Sequence, residues 1–218
     1  MFRYIFEGRK TRGLLLRALE ETRSMLKREE KMFSAAVDSL MCNCEADIDL
    51  DQYDKEINRG EKVVRRMMLE HLIVNPKQDL PACLVLISIV IDVERIGDYT
   101  KSIFELGRLY EEELGSDKYV DQCHKMRQMI HPMFQQTIDA FIESRLNEAT
   151  AVMEKHKKIK ANCDQLIRAL VTDGDLPVGK SVVLTLLSRY FRRVSAHLSN
   201  IASSVVNPFD ELGFDDEP

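Results

Sequence analysis

The sequence predicts an all-α protein in which two tandem three-helix-bundle repeats form an elongated six-helix bundle. Three observations carry that prediction. Apolar residues recur three and four apart over long segments, which is the period of a helix and not of a strand. Glycine and proline are sparse, 9 and 6 among 218 residues, too few to punctuate the short strands of a β-sandwich. The order of elements in the first half returns in the second at near-constant offsets, as a duplication does. A chain that is 44% hydrophobic and 31% charged can also bury a core, which excludes a disordered protein.

Leu15, Leu19, Leu26, Phe33, Val37 and Leu40 mark one stripe of a long first helix, ended by the break at residues 43–49. A second stripe, Ile57, Val64, Met68 and Leu72, stops at Asn75-Pro76, because the residue before proline is pushed out of helical geometry. The third helix starts near Asp79-Leu80-Pro81, where aspartate can cap and proline can occupy the first turn, and runs through Glu113 to Gly115-Ser116. Its middle is apolar nearly all round and belongs deepest in the core. The fourth helix carries Met126, Ile130, Phe134, Ile138 and Phe141; the fifth Ile159, Cys163, Leu166 and Leu170; the sixth Val183, Leu187, Tyr190, Val194, Leu198, Ile201 and Val205.

Met32-Phe33 through Leu40-Met41 falls on Met133-Phe134 through Phe141-Ile142 at an offset of 101 residues. The segment at Asp54–Asn58 falls on His156–Lys160 at 102, and the run through Glu94 on the run through Arg192 at 98. The chain therefore divides into a first repeat at 1–115, a second at 116–206 and an acidic tail at 207–218. In the tail, Phe209, Leu212 and Phe214 are apolar enough to dock among Asp210, Glu211, Asp215, Asp216 and Glu217.

The balance of 31 Lys and Arg against 36 Asp and Glu, a formal net charge of −5, argues against a nucleic-acid partner. Five cysteines, Cys42, Cys44, Cys83, Cys123 and Cys163, are odd in number and include no Cys-x-x-Cys, so reduced thiols are expected rather than a disulfide framework or a cysteine zinc site. Residues 1–13 lack the uninterrupted apolar stretch of a secretory signal, which places the protein in the cytoplasm. The most apolar segment, Ala82 to Ile91, is far shorter than the roughly 20 residues of a membrane span, so the protein is peripheral to a membrane at most. Whether it forms a homodimer is left open.

Gly174 to Ser181 satisfies G-x-x-x-x-G-K-[ST], the phosphate loop of nucleotide hydrolases, but such a loop must follow a β-strand, and Cys163 to Val171 continue a helical stripe. Asp47, Asp49 and Asp51 suggest a calcium loop until Gln52 is found where glycine must turn the chain and Asn58 where glutamate must close it. These aspartates suit a helix entry instead.

Asp92-Val-Glu94-Arg95-Ile96-Gly97-Asp98 is more informative. Glu94 and Asp98 share a face and repel, and a mid-helix glycine costs about 1 kcal/mol relative to alanine. Either Arg95 and its neighbours neutralise the pair, or Gly97 admits something to the backbone while the carboxylates hold a metal. Asp54 and Asn58 show the same spacing on the second helix, and antiparallel packing can bring the two ridges together. Oxygen ligands of this kind suit a divalent or trivalent cation: iron, zinc, manganese, magnesium or calcium. A ferritin-like site would need Glu-x-x-His, which occurs nowhere in the chain.

Glu94-Arg95-Ile96-Gly97-Asp98, between its apolar run and Tyr99 to Ile103, together with Asp54 to Asn58, resembles the signature of the PhoU family, accessory regulators of phosphate uptake. The resemblance implies metal clusters held on each repeat by paired acidic motifs and work with a phosphate transporter and a sensor histidine kinase; since no residues suggest a triad or an acid–base pair, no enzymatic activity is expected. Here the second repeat departs: where the first has Asp54, Asn58, Glu94 and Asp98, it has His156, Lys160, Arg192 and Ala196. The expectation is a metal site at Asp54, Asn58, Glu94 and Asp98 alone. Lys157, Lys160, Arg192, Arg193 and His197 form a basic face for an anion or an acidic partner, against the plainer reading of a solvated surface. The rivals are a metal-independent adaptor of a sodium–phosphate symporter and a nucleotide hydrolase acting through Gly174 to Ser181.

Overall fold

The computed structural model describes residues 12–75, 77, 79–207 and 209–212. Among them are six α-helices and no strand: α1 (Arg12–Cys42), α2 (Leu50–Val74), α3 (Leu80–Leu109), α4 (Lys118–Glu143), α5 (Leu146–Thr172) and α6 (Val178–Val206). At 25 to 31 residues each, they are rods of roughly 37 to 47 Å. Helices α1 to α3 pack on one another, as do α4 to α6, and the two trios meet through α1 against α4 and α3 against α6. Both junctions are antiparallel. Asp92 and Tyr99 of α3 meet His197 and Tyr190 of α6, and Phe33 and Asp38 of α1 meet Phe134 and Arg127 of α4.

The core is continuous across the repeats. Phe33 lies 5.5 Å from Phe134 and 5.8 Å from Phe191, ring centre to ring centre, so the first trio inserts an aromatic into the second. Helix α3 is the most apolar rod, with Ala82, Cys83, Val85, Leu86, Ile89, Val90, Val93 and Ile96 buried. All five cysteines are free; burial pushes the Cys83 thiol up to about 11 and that of Cys123 to about 12, which leaves them unreactive. No helix among the described residues is long and apolar enough to cross a membrane.

Two expectations for α3 are corrected. Asp79 makes no capping hydrogen bond; it sits in the left-handed region at φ 59°, and its carboxylate lies 3.4 Å from buried His71 at the end of α2. The helix also ends at Leu109 and not at Glu113, since Glu111, Glu112 and Glu113 would crowd three carboxylates at its negative end. In the tail, Phe209–Glu211 form a short 3₁₀ turn and Leu212 packs on the core, while Phe214, Asp215, Asp216 and Glu217 lie outside the described residues, as do residues 1–11 at the other end.

Candidate metal centre

The antiparallel pairing of α2 and α3 brings the two acidic ridges to one side of the first trio. Lys101 of α3 reaches both Asp51 and Asp54 of α2, at 3.5 Å each. The Asn58 amide donates to Asp54 at 3.3 Å. One turn earlier on α3, Arg95 holds Asp98 at 2.7 Å and lies 3.7 Å from Glu94, so the like-charged pair is neutralised on its outer side.

On the inner side stands a residue that the sequence reading missed. Glu29 of α1 is fully buried, and neither carboxylate oxygen has a hydrogen-bond partner. A Cβ on Gly97 would come within 2.8 Å of Glu29 Oε1, so the glycine is the only residue type that leaves this carboxyl its place. Gly60 does the same for Met25 one helix away, where an added Cβ would meet Sδ at 2.7 Å. Both glycines therefore leave room for α1 side chains against the neighbouring helices.

The electrostatics follow from this placement. Burial first, then the charges of Asp54, Glu94 and Asp98, hold the Glu29 carboxyl well above the usual carboxylate range. The Gly97 amide is the smallest influence, acting the other way, and makes no hydrogen bond to it. Glu94 is raised as well, by burial and by Asp98, against the pull of Arg95. The charges of Asp54 and Asp98 thus raise the affinity of Glu29 and Glu94 for a proton or another cation. As the side chains stand, no three His, Cys, Asp or Glu among the described residues close into a coordination shell; Arg95 and Lys101 hold the outer carboxylates instead. The donor set nonetheless fits a cation. A buried carboxylate without a partner must be protonated or matched by positive charge, and Arg95 and Lys101 leave it unmatched. One signal of Glu29 was present in the sequence: it falls on the buried stripe of α1 between Leu26 and Phe33, where a charge is out of place.

The same location in the second trio is filled differently. Ile130, His156, Lys160, Arg192, Ser195 and Ala196 stand where the first has Glu29, Asp54, Asn58, Glu94, Gly97 and Asp98. His156 is buried with Nδ1 2.9 Å from the Ser195 hydroxyl, which itself donates to the Arg192 carbonyl. Arg192 donates to Asp164 at 2.8 Å. Of the basic face, Lys157 and Arg193 are exposed and Lys160 is partly buried. His197 turns instead to the other repeat, 2.7 Å from Asp92, stacked on Tyr99 and joined there by Asn200.

The phosphate-loop match at Gly174 to Ser181 lacks its context. Helix α5 precedes it where a strand is required, Gly179 to Ser181 already belong to α6, and Lys180 Nζ is 2.6 Å from Asp117, which caps α4.

The structure is a twofold helical scaffold with one carboxylate cluster on its first repeat, the architecture of a class of helical-bundle accessory proteins. The chain belongs to the PhoU domain family, whose model matches it twice, over residues 22–106 and 123–205. It is 23% identical over 160 residues to a phosphate-specific transport system accessory protein PhoU homolog of Clostridium acetobutylicum, covering 72% of this chain and 71% of that protein. To the protein of the same description from Aquifex aeolicus it is 24% identical over 189 residues, covering 82% and 85%. Among solved structures, the phosphate transport system regulatory protein PhoU of Streptococcus pneumoniae superposes with a TM-score of 0.78 at 16% identity, over 90% of this chain and 95% of that one. PhoU of Pseudomonas aeruginosa gives 0.70 at 20% identity, over 94% and 97%. At such identities the structures share the fold.

Proposed function

We propose that this chain regulates inorganic phosphate uptake and phosphate signalling from the cytoplasm, docking on a phosphate transporter, a sensor histidine kinase or both, with a metal site on the first repeat only. Family membership and the names of the relatives support the phosphate-transport part. One observation carries the metal: the buried, unpartnered carboxylate of Glu29 behind Asp54, Glu94 and Asp98.

Glu29, Asp54, Glu94 and Asp98 would hold the cation, with the Asn58 carbonyl oxygen as a neutral donor. An all-oxygen set suits a hard or intermediate ion such as magnesium, calcium, manganese or iron, and accommodates zinc. When bound, the cation supplies charge neutralisation. The chain's own contribution is to present one ligand from α1, two from α3 and two from α2, so that these helices are tied to one another in the folded state. Regulation would follow from that coupling: metal occupancy would change how firmly α2 is held against α1 and α3, and with it the surface offered to a partner.

Elemental analysis of protein purified without chelator tests the site. Metal is expected in the wild type and lost from Glu29→Gln and from the Glu94→Ala, Asp98→Ala double variant. Metal content unchanged in both sinks the assignment and favours the metal-independent adaptor.

A further inference from the structure

The outer face of α2 is the least explained surface of the molecule. Lys55, Arg59, Lys62, Arg66, Leu69 and Ile73 follow one another at spacings of four, three, four, three and four residues, and all six are exposed. That spacing lays them along a single ridge of roughly 27 Å. The four cations have no ion-pair partner among the described residues, whereas neighbouring Arg65 is held by Glu61 and Glu56 by Arg28. The ridge ends in a protruding aliphatic tip: Leu69 is 60% exposed, Ile73 71% and Val74 72%, with exposed Lys77 just beyond. Glu70 is the exposed anion beside it.

The duplication supplies an internal control. At the offset of 102 residues the ridge becomes Lys157, Ala161, Asp164, Arg168, Val171 and Asp175 on and after α5, with Asp164 bound to Arg192. The basic row ending in aliphatics is therefore specific to α2 and not a by-product of the scaffold.

From this geometry we infer that the α2 ridge docks the protein on an anionic lipid surface, the cations lying against the headgroups and Leu69, Ile73 and Val74 entering the interface. Charge complementarity selects an anionic occupant. A second copy of the chain is disfavoured, since an antiparallel pairing of two ridges about residue 64 sets Lys62 against Arg66 twice. The shape decides between a bilayer and an acidic protein. The aliphatics stand out from a helix end, 60% to 72% exposed, which a fluid interface accommodates and a folded partner must match with a pocket. The chain carries a net charge of −5, so the ridge also fixes which side can approach an anionic surface. The inference is independent of the metal site.

Vesicle co-sedimentation of the full chain tests it, with phosphatidylcholine vesicles and with vesicles in which roughly a third of the lipid is phosphatidylglycerol, in chelator and again with added manganese. Binding is expected to the anionic vesicles only, in both conditions. It should fade as salt rises from about 0.1 M to 1 M, where the screening length falls from about 10 to about 3 Å. Each cation near an anionic surface gives roughly a fivefold gain, so Arg59→Glu with Arg66→Glu should weaken binding at least 25-fold. Ile73→Ser with Val74→Ser should weaken it several-fold, Arg168→Glu on the counterpart ridge not at all, and circular dichroism confirms that each variant is folded. Equal binding to neutral vesicles, retention by the Arg59→Glu, Arg66→Glu variant, or capture by polyglutamate with no vesicle binding overturns the inference, the last outcome marking the ridge as a site for an acidic protein.

Discussion

Around Gly97 the first repeat gathers Glu29, Asp54, Glu94 and Asp98; around Ser195, ninety-eight residues on, the second repeat places Ile130, His156, Arg192 and Ala196. The backbone plan is shared and the electrostatics are opposite. At the matching place in the second repeat the polar groups pair with one another, buried His156 with Ser195 and part-exposed Arg192 with Asp164. In the first, the innermost group is left with nothing to bond. A buried polar cluster that satisfies itself is part of the core; one that is short of positive charge is the place to look for a ligand. The contrast between the trios therefore says more about function than either alone, and it can be broken by moving residues from one to the other.

The largest effect is expected from Ile130→Glu, which installs the buried carboxyl in the repeat that lacks its companions. Ile130 is fully buried and its basic neighbours His156 and Arg192 are already engaged by Ser195 and Asp164, so the carboxyl should destabilise the protein by about 3–5 kcal/mol, read from urea unfolding. Divalent cations should not restore it. Rescue by metal would mean that the second repeat still offers ligands, and the comparison would fall.

The reverse change, Glu29→Gln, leaves a neutral side chain of similar shape that does not titrate. The pH dependence has a definite sign. The folded pKa values of Glu29 and Glu94 are raised, so these groups keep protons that the unfolded chain releases above about 4.3. Their contribution is fully present below that pH and is lost as pH rises through the folded values. In chelator, the melting temperature of the wild type should therefore fall with rising pH across this window, less steeply in Glu29→Gln, and a saturating divalent cation should recover stability only in the wild type. A wild-type profile as shallow as that of the variant would show that Glu29 is not the strained group.

Much of this was legible in the sequence, because helical periodicity and repeat offsets are local signals. The stripes of all six helices and the breaks before Leu50 and at Asn75 follow from spacing alone. Glu29 was not legible as a site residue. A lone glutamate in a stripe shows no partner until α1 is docked, and what approaches the backbone at Gly97 is the Glu29 carboxyl. The basic face was read from residues that share a helix surface, but His197 reaches across to Asp92 of the other repeat, a contact separated by 105 residues that periodicity does not encode. The same holds for Lys180, whose match to a phosphate loop is local and whose partner, Asp117, is not.

Within the second repeat, Ser195→Ala should cost about 1 kcal/mol by urea unfolding, the usual worth of one buried hydrogen bond, here the one to His156. An effect near zero would indicate that the ring pairs equally well elsewhere, and the description of a self-completed cluster would need another keystone.

The smallest effect concerns Arg192 and Asp164. By position Arg192 replaces Glu94, and its bond to Asp164 ties α6 to α5 much as a cation would tie α3 to α2. The two tethers are not equivalent. The Asp164 side chain is 46% exposed, so water and salt screen the pair, and a double-mutant cycle with Arg192→Ala and Asp164→Asn should give a coupling of about 0–1 kcal/mol that shrinks at high salt. The second trio must then be held by its apolar core, with Phe134, Phe191 and Leu187 buried, and would stay indifferent to metal. A salt-insensitive coupling above about 2 kcal/mol would instead mark the ion pair as a fixed substitute for the cation, making the two repeats alike in tethering and different only in whether the tether can be removed.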